Sequence, residues 1–422
     1  MMHIPLGTRE PPTADSPQRS PRSLAMSLGS ISDSQDILLA SSGTQPPSNA
    51  SAGQGRRVKP YLLTTSEAGI FPSEDPVTDH QNLQGFIDDV ATDGIVGVIE
   101  AGHWYAHRKL LLRDGSRLMG RGMNRTIIEA PPQAWSQDRY TLMDLEVGTS
   151  LFENGAFLSD FTLIGADKQA TDNGALLILE GLSDFLVERV QAVDASSYGI
   201  FVAGYGVGRF TNDIHSSFWN STHRGIIRQC RAVRGQVGIG CEGGAQNVLI
   251  MANHTDGQAL HGFRLASAYD TQIIANSAVN TRNAYWIDRH KGVHVLHNTA
   301  TNVERGCVYG GFHRHRDEEI SRGLWIIGNR FNTTKSAITD AYQGTSDKFT
   351  RSVKIKDNLL AGGNIRLLWS RNVDIQGNDG DGSNRIITSH QVSGRVGNNF
   401  MKLLNRSDTL EDLGGNLTSS PP

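Results

Sequence analysis

Residues able to move protons, carry charge or stack on a ring recur at matching places in successive short segments of this 422-residue chain. They are Glu242, Arg264, Trp286, Asp288, His290, Tyr309, His313, Thr339 and Arg366. Two chemistries fit these types. Proton abstraction beside a carboxylate needs a cation, a base and a donor. Arg264 or Arg289 suits the first role, His290 or His313 the second and Tyr309 the third, because imidazole titrates near neutrality and a phenol can return a proton. Glycoside hydrolysis instead needs two carboxyl groups flanking the bond, which Glu242 and Asp288 supply. Trp286 could stack on a ring, with Arg289, His315, His215, His223 and Arg366 as further contacts. His313 and His315 could chelate, but no third ligand is fixed by spacing, so no metal site is expected. No cofactor is expected either, and nothing in the sequence indicates calcium.

The segments that must position these residues are strand-like. "YGIFVAG", "VGIGCEG", "HGFRLAS", "AYWIDRH", "CVYGGFH", "SAITDAY" and "NIRLLWS" each begin one unit, and the strands that follow the last six stop on an asparagine: Asn253, Asn276, Asn298, Asn329, Asn358 and Asn378, with one more such strand ending at Asn398. Those asparagines lie 23, 22, 31, 29, 20 and 20 residues apart, a unit of about twenty residues with insertions. Apolar residues alternate along both strands. A strand pair every twenty residues, separated by Gly, Asn and Asp turns, describes the coil of a parallel β-helix, and the asparagines should stack into a buried ladder that satisfies its own amides. Alternation with the aliphatic positions inward sends Glu242, Arg264, Trp286, Asp288, His290, Tyr309, His313, Thr339 and Arg366 outward on one face. Long connections near 205–224, 314–323 and 343–352 should wall a groove over that face. Glu242 and Asp288, two coils apart, should then sit ~9.6 Å from each other at the backbone.

Other parts of the chain fit around this solenoid. In "TDHQNLQGFIDDVATDG", Leu83, Phe86, Ile87 and Val90 share a helical face, with a Thr or Asp cap before and Gly94 after, as expected of a helix that closes the first coil. Residues 1–58 are rich in Ser, Pro and Gln and lack the apolar core of a secretory signal, which reads as a disordered leader or attachment arm. Residues 59–94 form the expected cap, 95–404 the helix and 405–422 a flexible tail. A net charge of −3 without a long basic run argues against nucleic acid as a partner, and no apolar run is long enough to span a membrane. The three cysteines, Cys230, Cys241 and Cys307, have no metal-like spacing. Cys230 falls where Asn253 falls one coil later, which makes it a core residue.

The stretch "TDHQNLQGFIDDV...GVIEAGHWYAHRKLLLRDGSRLMGRGMNRTII" resembles the opening of the pectate-lyase-like right-handed β-helix superfamily, found among polysaccharide lyases, uronate epimerases, glycosidases and phage tailspike depolymerases. The resemblance is close over about residues 75–130 and architectural over about 75–400. It implies a right-handed parallel β-helix with an N-terminal capping helix and an internal Asn ladder. With the residues above, it implies a protein that cleaves or epimerises an acidic, uronate-containing polysaccharide by proton abstraction at C5, as a lyase or epimerase, acts outside the cell or on a virion, and is a monomer or homotrimer. The "DPH" of alginate C5-epimerases and the paired aspartates and "RIK" of polygalacturonases are absent, so no catalytic set transfers by motif. The alternatives are an inverting hydrolase using Glu242 and Asp288, and a non-enzymatic tailspike or adhesin that binds polysaccharide.

Overall fold

The computed structural model describes residues 61–131, 141–145, 154–165, 175–204, 222–310, 321–340, 350–381, 383–389, 391–404 and 407–416. Among the described residues one α-helix, α1 (Pro76–Asp93), follows the short strand Leu62–Thr64 and leads into the coils. Asp75 caps it, accepting the Thr78 amide at 3.0 Å, Pro76 opens the first turn and Gly94 (φ 67°) closes the last. Leu83, Phe86, Ile87 and Val90 are buried, so the apolar face lies on the first coil as expected.

Among the described residues the strands pair in parallel, each coil with the next. One apolar column runs through the middle, including Ile200, Ile239, Phe263, Tyr285, Cys307 and Ile338. The asparagine ladder is present and tightly bonded. Asn276 Oδ1 accepts both the backbone amide and the side-chain amide of Asn253, each at 2.9 Å, and the pattern repeats through Asn298, Asn329, Asn358 and Asn378. Cys230 begins the column, its amide bonded to Asn253 Oδ1 at 2.8 Å, and burial pushes its thiol up to about 12.

Two details differ from the sequence reading. The rung after Asn378 is Asn399, whose Oδ1 accepts from Asn378, and Asn398 is the residue before it, at φ 52°. The same left-handed bend precedes every other rung, at Ala252, Ala275, His297, Gly328, Asp357 and Gly377. The ladder asparagine is therefore chosen for its amide, and its predecessor takes the unusual backbone angle. The coils also continue past residue 404. Leu410–Asp412 pairs with Gly394–Gly397, and Asn416 accepts from Asn399, where a flexible tail was expected.

At one corner of several successive coils two residues in a row face inward, which shifts the phase of alternation. Ala284 and Tyr285 are both buried in the core, as are Ala337 and Ile338. The first of each pair is small because the next coil comes close: a Cβ on Gly199 would lie 2.7 Å from the Gly238 carbonyl oxygen. Residues on either side of the pair then point outward, and this sets the outer face.

Candidate functional site

Two outward rows follow from that corner. In the first, Gly240, Arg264, Trp286, Val308, Thr339 and Arg366 are register partners in successive coils. In the second, Glu180, Ala203, Glu242, Ala266, Asp288 and Gly310 are partners. A carboxylate thus occupies every second coil and a small residue each coil between. Consecutive carboxylates sit ~9.6 Å apart at the backbone. All three are nearly closed off from solvent, with exposures of 3% for Glu180, 9% for Glu242 and 6% for Asp288.

The residue before the corner pair also points outward, and there Tyr198 reaches across to the second row. Gly240 makes this possible, since a Cβ at that position would sit 2.6 Å from the Tyr198 ring. The Tyr198 hydroxyl donates to Glu242 Oε1 at 2.5 Å and accepts from Arg264 Nη1. Arg264 Nε lies 3.2 Å from the same Oε1, close enough for an ion pair though not aligned as a hydrogen bond. Phe201 backs the phenol, ring centroids 4.5 Å apart. With the Tyr198 hydroxyl aimed at Oε1 and a guanidinium beside it, that oxygen is an acceptor.

One coil further on, Trp286 and His261 meet at 4.9 Å between centroids, with His261 Nδ1 3.1 Å from Asn283 Nδ2. Burial, then Arg264 and Arg282, lowers the His261 imidazole to about 3, so it is neutral near pH 7. Trp286 is half-buried, leaving part of an apolar surface beside the acidic row.

Glu242, Arg264, Trp286, Asp288, Thr339 and Arg366 therefore face outward as the alternation implies, Arg366 three coils past Trp286. Tyr309 and His290 do not. In "CVYGGFH" it is Cys307 and Tyr309 that face the core and Val308 that faces out; an aliphatic residue on the outer face misled the phase. Tyr309 is 1% exposed and its hydroxyl bonds Ser370 Oγ at 2.9 Å. His290 lies past Arg289, whose φ of 42° turns the chain and swings His290 inside, where it is 2% exposed. Neither of its ring nitrogens has a partner among the described residues, and burial lowers its imidazole to about 3. Neither side chain reaches the outer face.

Arg289 stays at the corner beside Asp288, its Nε buried without a partner among the described residues. His223 opens the strand His223–Arg228 on another row, in register with Gln246. His215, His313 and His315, with most of the expected groove walls, lie outside the described residues. Sequence reasoning missed Tyr198, Glu180 and His261. The signal for Tyr198 and His261 is the small residue that follows each of them, Gly199 and Gly262, which marks the corner and makes the preceding side chain outward. Among the described residues no group of three or more His, Cys, Asp or Glu side chains is placed to hold a metal ion.

Residues 175–331 match the family described as "Right handed beta helix region". A comparison with curated proteins gives no match. Among solved structures, the A-module of the mannuronan C-5 epimerase AlgE6 of Azotobacter vinelandii is similar with a TM-score of 0.58 at 14% identity, covering 85% of this chain and 100% of that one. A double mutant of the tailspike protein of E. coli bacteriophage HK620, in complex with a pentasaccharide, gives 0.55 at 12% identity over 85% of this chain and 67% of that one. An exopolygalacturonase from Thermotoga maritima gives 0.51 at 12% identity over 83% of this chain and 91% of that one. The fold is a right-handed parallel β-helix of the kind carried by these carbohydrate-active proteins.

Proposed function

We propose that this right-handed parallel β-helix is an enzyme that cleaves an acidic polysaccharide on its outer face, by hydrolysis with inversion at the Glu242 and Asp288 pair. The observation that carries this reading is the second row, where the two carboxylates stand two coils apart with Ala266 between them. Their backbones stand ~9.6 Å apart by strand spacing, and the side chains reach from there toward the about 6.5–9.5 Å carboxyl separation that inverting enzymes use to fit a water beside the sugar. Glu242, already an acceptor for Tyr198 and flanked by Arg264, is the base that activates this water. Asp288 protonates the departing oxygen. Trp286, backed by His261, holds the ring, while Arg289 and Arg366 are the cations available to an acidic sugar.

A second reading rests on the Tyr198 hydroxyl, set between a guanidinium and a carboxylate able to take its proton. Such a relay suits abstraction of the C5 proton of a uronate, giving elimination or epimerisation. It replaces the His290 and Tyr309 set, whose members lie in the core. The structural neighbours, two of them enzymes named for polysaccharides and one a phage tailspike in complex with a pentasaccharide, are compatible with either chemistry and with action outside the cell or on a virion, as a monomer or homotrimer.

Incubation with a panel of neutral and uronate polysaccharides separates the readings. New reducing ends without ultraviolet absorbance support hydrolysis. Absorbance from an unsaturated uronate supports elimination, and inverted C5 stereochemistry without chain scission supports epimerisation. No change in any of them rejects an enzymatic role on these substrates.

A further inference from the structure

Past Asp288 the chain turns through Arg289 and His290 and begins a new strand at Lys291. Lys291, Arg322, Arg351 and Arg371 are register partners in four successive coils, and all four are exposed. Neighbouring coils lie ~4.8 Å apart, so the row places four cations along ~14 Å of a straight, rigid edge. Among the described residues Lys291, Arg322 and Arg351 have no side-chain hydrogen bond or ion pair. Elsewhere the chain treats its surface arginines differently. Arg189 pairs with Asp160 of the preceding coil at 2.6 Å, Arg224 with Asp184 at 2.7 Å, and Arg121 with Glu100 at 2.8 Å. Like charges directly opposite on neighbouring strands repel, so Lys291, Arg322 and Arg351 in register cost stability that a bound anion would recover.

A groove of about 640 Å³ runs beside this row. Its floor includes Gly323, Ser352 and Asn372, each directly after a row residue and each in the left-handed region at φ 69°, 58° and 53°. Its far wall includes Lys354 and Arg395. The one buried acid there, Asp374, is already engaged by Lys356 at 2.7 Å and Arg395 at 3.1 Å. The lining also carries Glu411, in register beside Arg395, so the unbalanced positive charge lies on the row itself, in a chain whose net charge is −3.

We propose that this row and groove form a second polysaccharide site, distinct from the acidic outer face, that holds a carboxylated polysaccharide along the coil axis. One cation per coil matches a polyanion with a charge on each sugar of an extended chain. A nucleic-acid duplex fits less well, because its phosphates wind away from a straight edge. The choice of a polysaccharide over other polyanions rests on the function proposed above; the existence of an anion-binding row does not.

Affinity electrophoresis of the full chain in native gels containing polygalacturonate, dextran or an oligothymidylate tests this. Three proteins are compared: wild type, Arg322→Gln with Arg351→Gln, and Asp288→Asn. Polygalacturonate should retard the wild type and Asp288→Asn equally, dextran neither, and the double variant should bind about tenfold more weakly. Unaltered retardation of the double variant would overturn the site. Stronger retardation by oligothymidylate than by polygalacturonate, lost in the double variant, would overturn its assignment to a polysaccharide. Full cleavage activity in Asp288→Asn would sink the catalytic proposal while leaving this one standing, so the two failures are distinguishable.

Discussion

Tyr198 stands one coil before Glu242, and its hydroxyl donates to Glu242 Oε1 at 2.5 Å across a position where only Gly240 leaves room for the ring. This bond gives the outer face a defined proton arrangement.

Replacing Tyr198 with Phe removes the donor while keeping the ring against Phe201. Turnover should fall about 10²-fold, at the lower end of what a positioned acid–base group supplies, with the fold retained. Steady-state rates and a near-ultraviolet dichroism spectrum check this. Wild-type turnover would leave Tyr198 a packing residue.

Gly240→Ala offers a complementary test from the other side of the same contact. The added methyl would sit 2.6 Å from the Tyr198 ring and displace it. Activity should therefore fall together with that of Tyr198→Phe, and the double variant should be no worse than either single one. Additive losses would show that the two residues act separately.

Asn276→Ala interrupts the ladder between Asn253 and Asn298. It deprives the backbone and side-chain amides of Asn253 of their acceptor and removes the donor to Asn298. Each buried group left unpaired costs ~1–3 kcal/mol, so the denaturant midpoint should drop clearly while activity at low temperature survives. An unchanged midpoint would mean water replaces the amide.

Stability should fall on acidification through His290. Its imidazole is lowered from 6.5 to about 3 by burial, so above pH 6.5 folded and unfolded states hold the same proton count at this site. Between pH 6.5 and about 3 the unfolded state binds the extra proton and the native state loses ground. Asp340, raised from 3.8 to about 6 by burial despite hydrogen bonds from Leu368, Trp369 and Ser370, acts in the opposite sense. It favours the native state as pH falls from about 6 toward 3.8. His290→Met should flatten the acid loss and Asp340→Asn should steepen it. Denaturation midpoints measured from pH 7 to 4 report both slopes.

The repeating parts of this molecule were legible in the sequence because each repeats its own physical cause. Helix α1 shows its apolar face and caps, and the ladder shows a strand ending on asparagine in coil after coil. The phase of the outer face was less legible. Alternation placed Glu242, Arg264, Trp286 and Asp288 correctly, since charged or large residues flank clear aliphatic ones. It failed at Tyr309, where Val308 and Cys307 give no contrast between faces, and at His290, where a left-handed Arg289 breaks the period. Tyr198 was hidden by the doubled inward step at Gly199 and Ile200. Periodicity assumes a uniform strand, and a corner within the strand is where that assumption ends.

The most direct test of the central claim is the rate of reducing-end release from a cleaved polysaccharide by Glu242→Gln and Asp288→Asn, read together with the anomeric configuration of the first product. The account predicts a loss of about 10²-fold or more in each variant, and a product of inverted configuration from the wild type. Near-wild-type release by either variant, or a retained configuration, would contradict it.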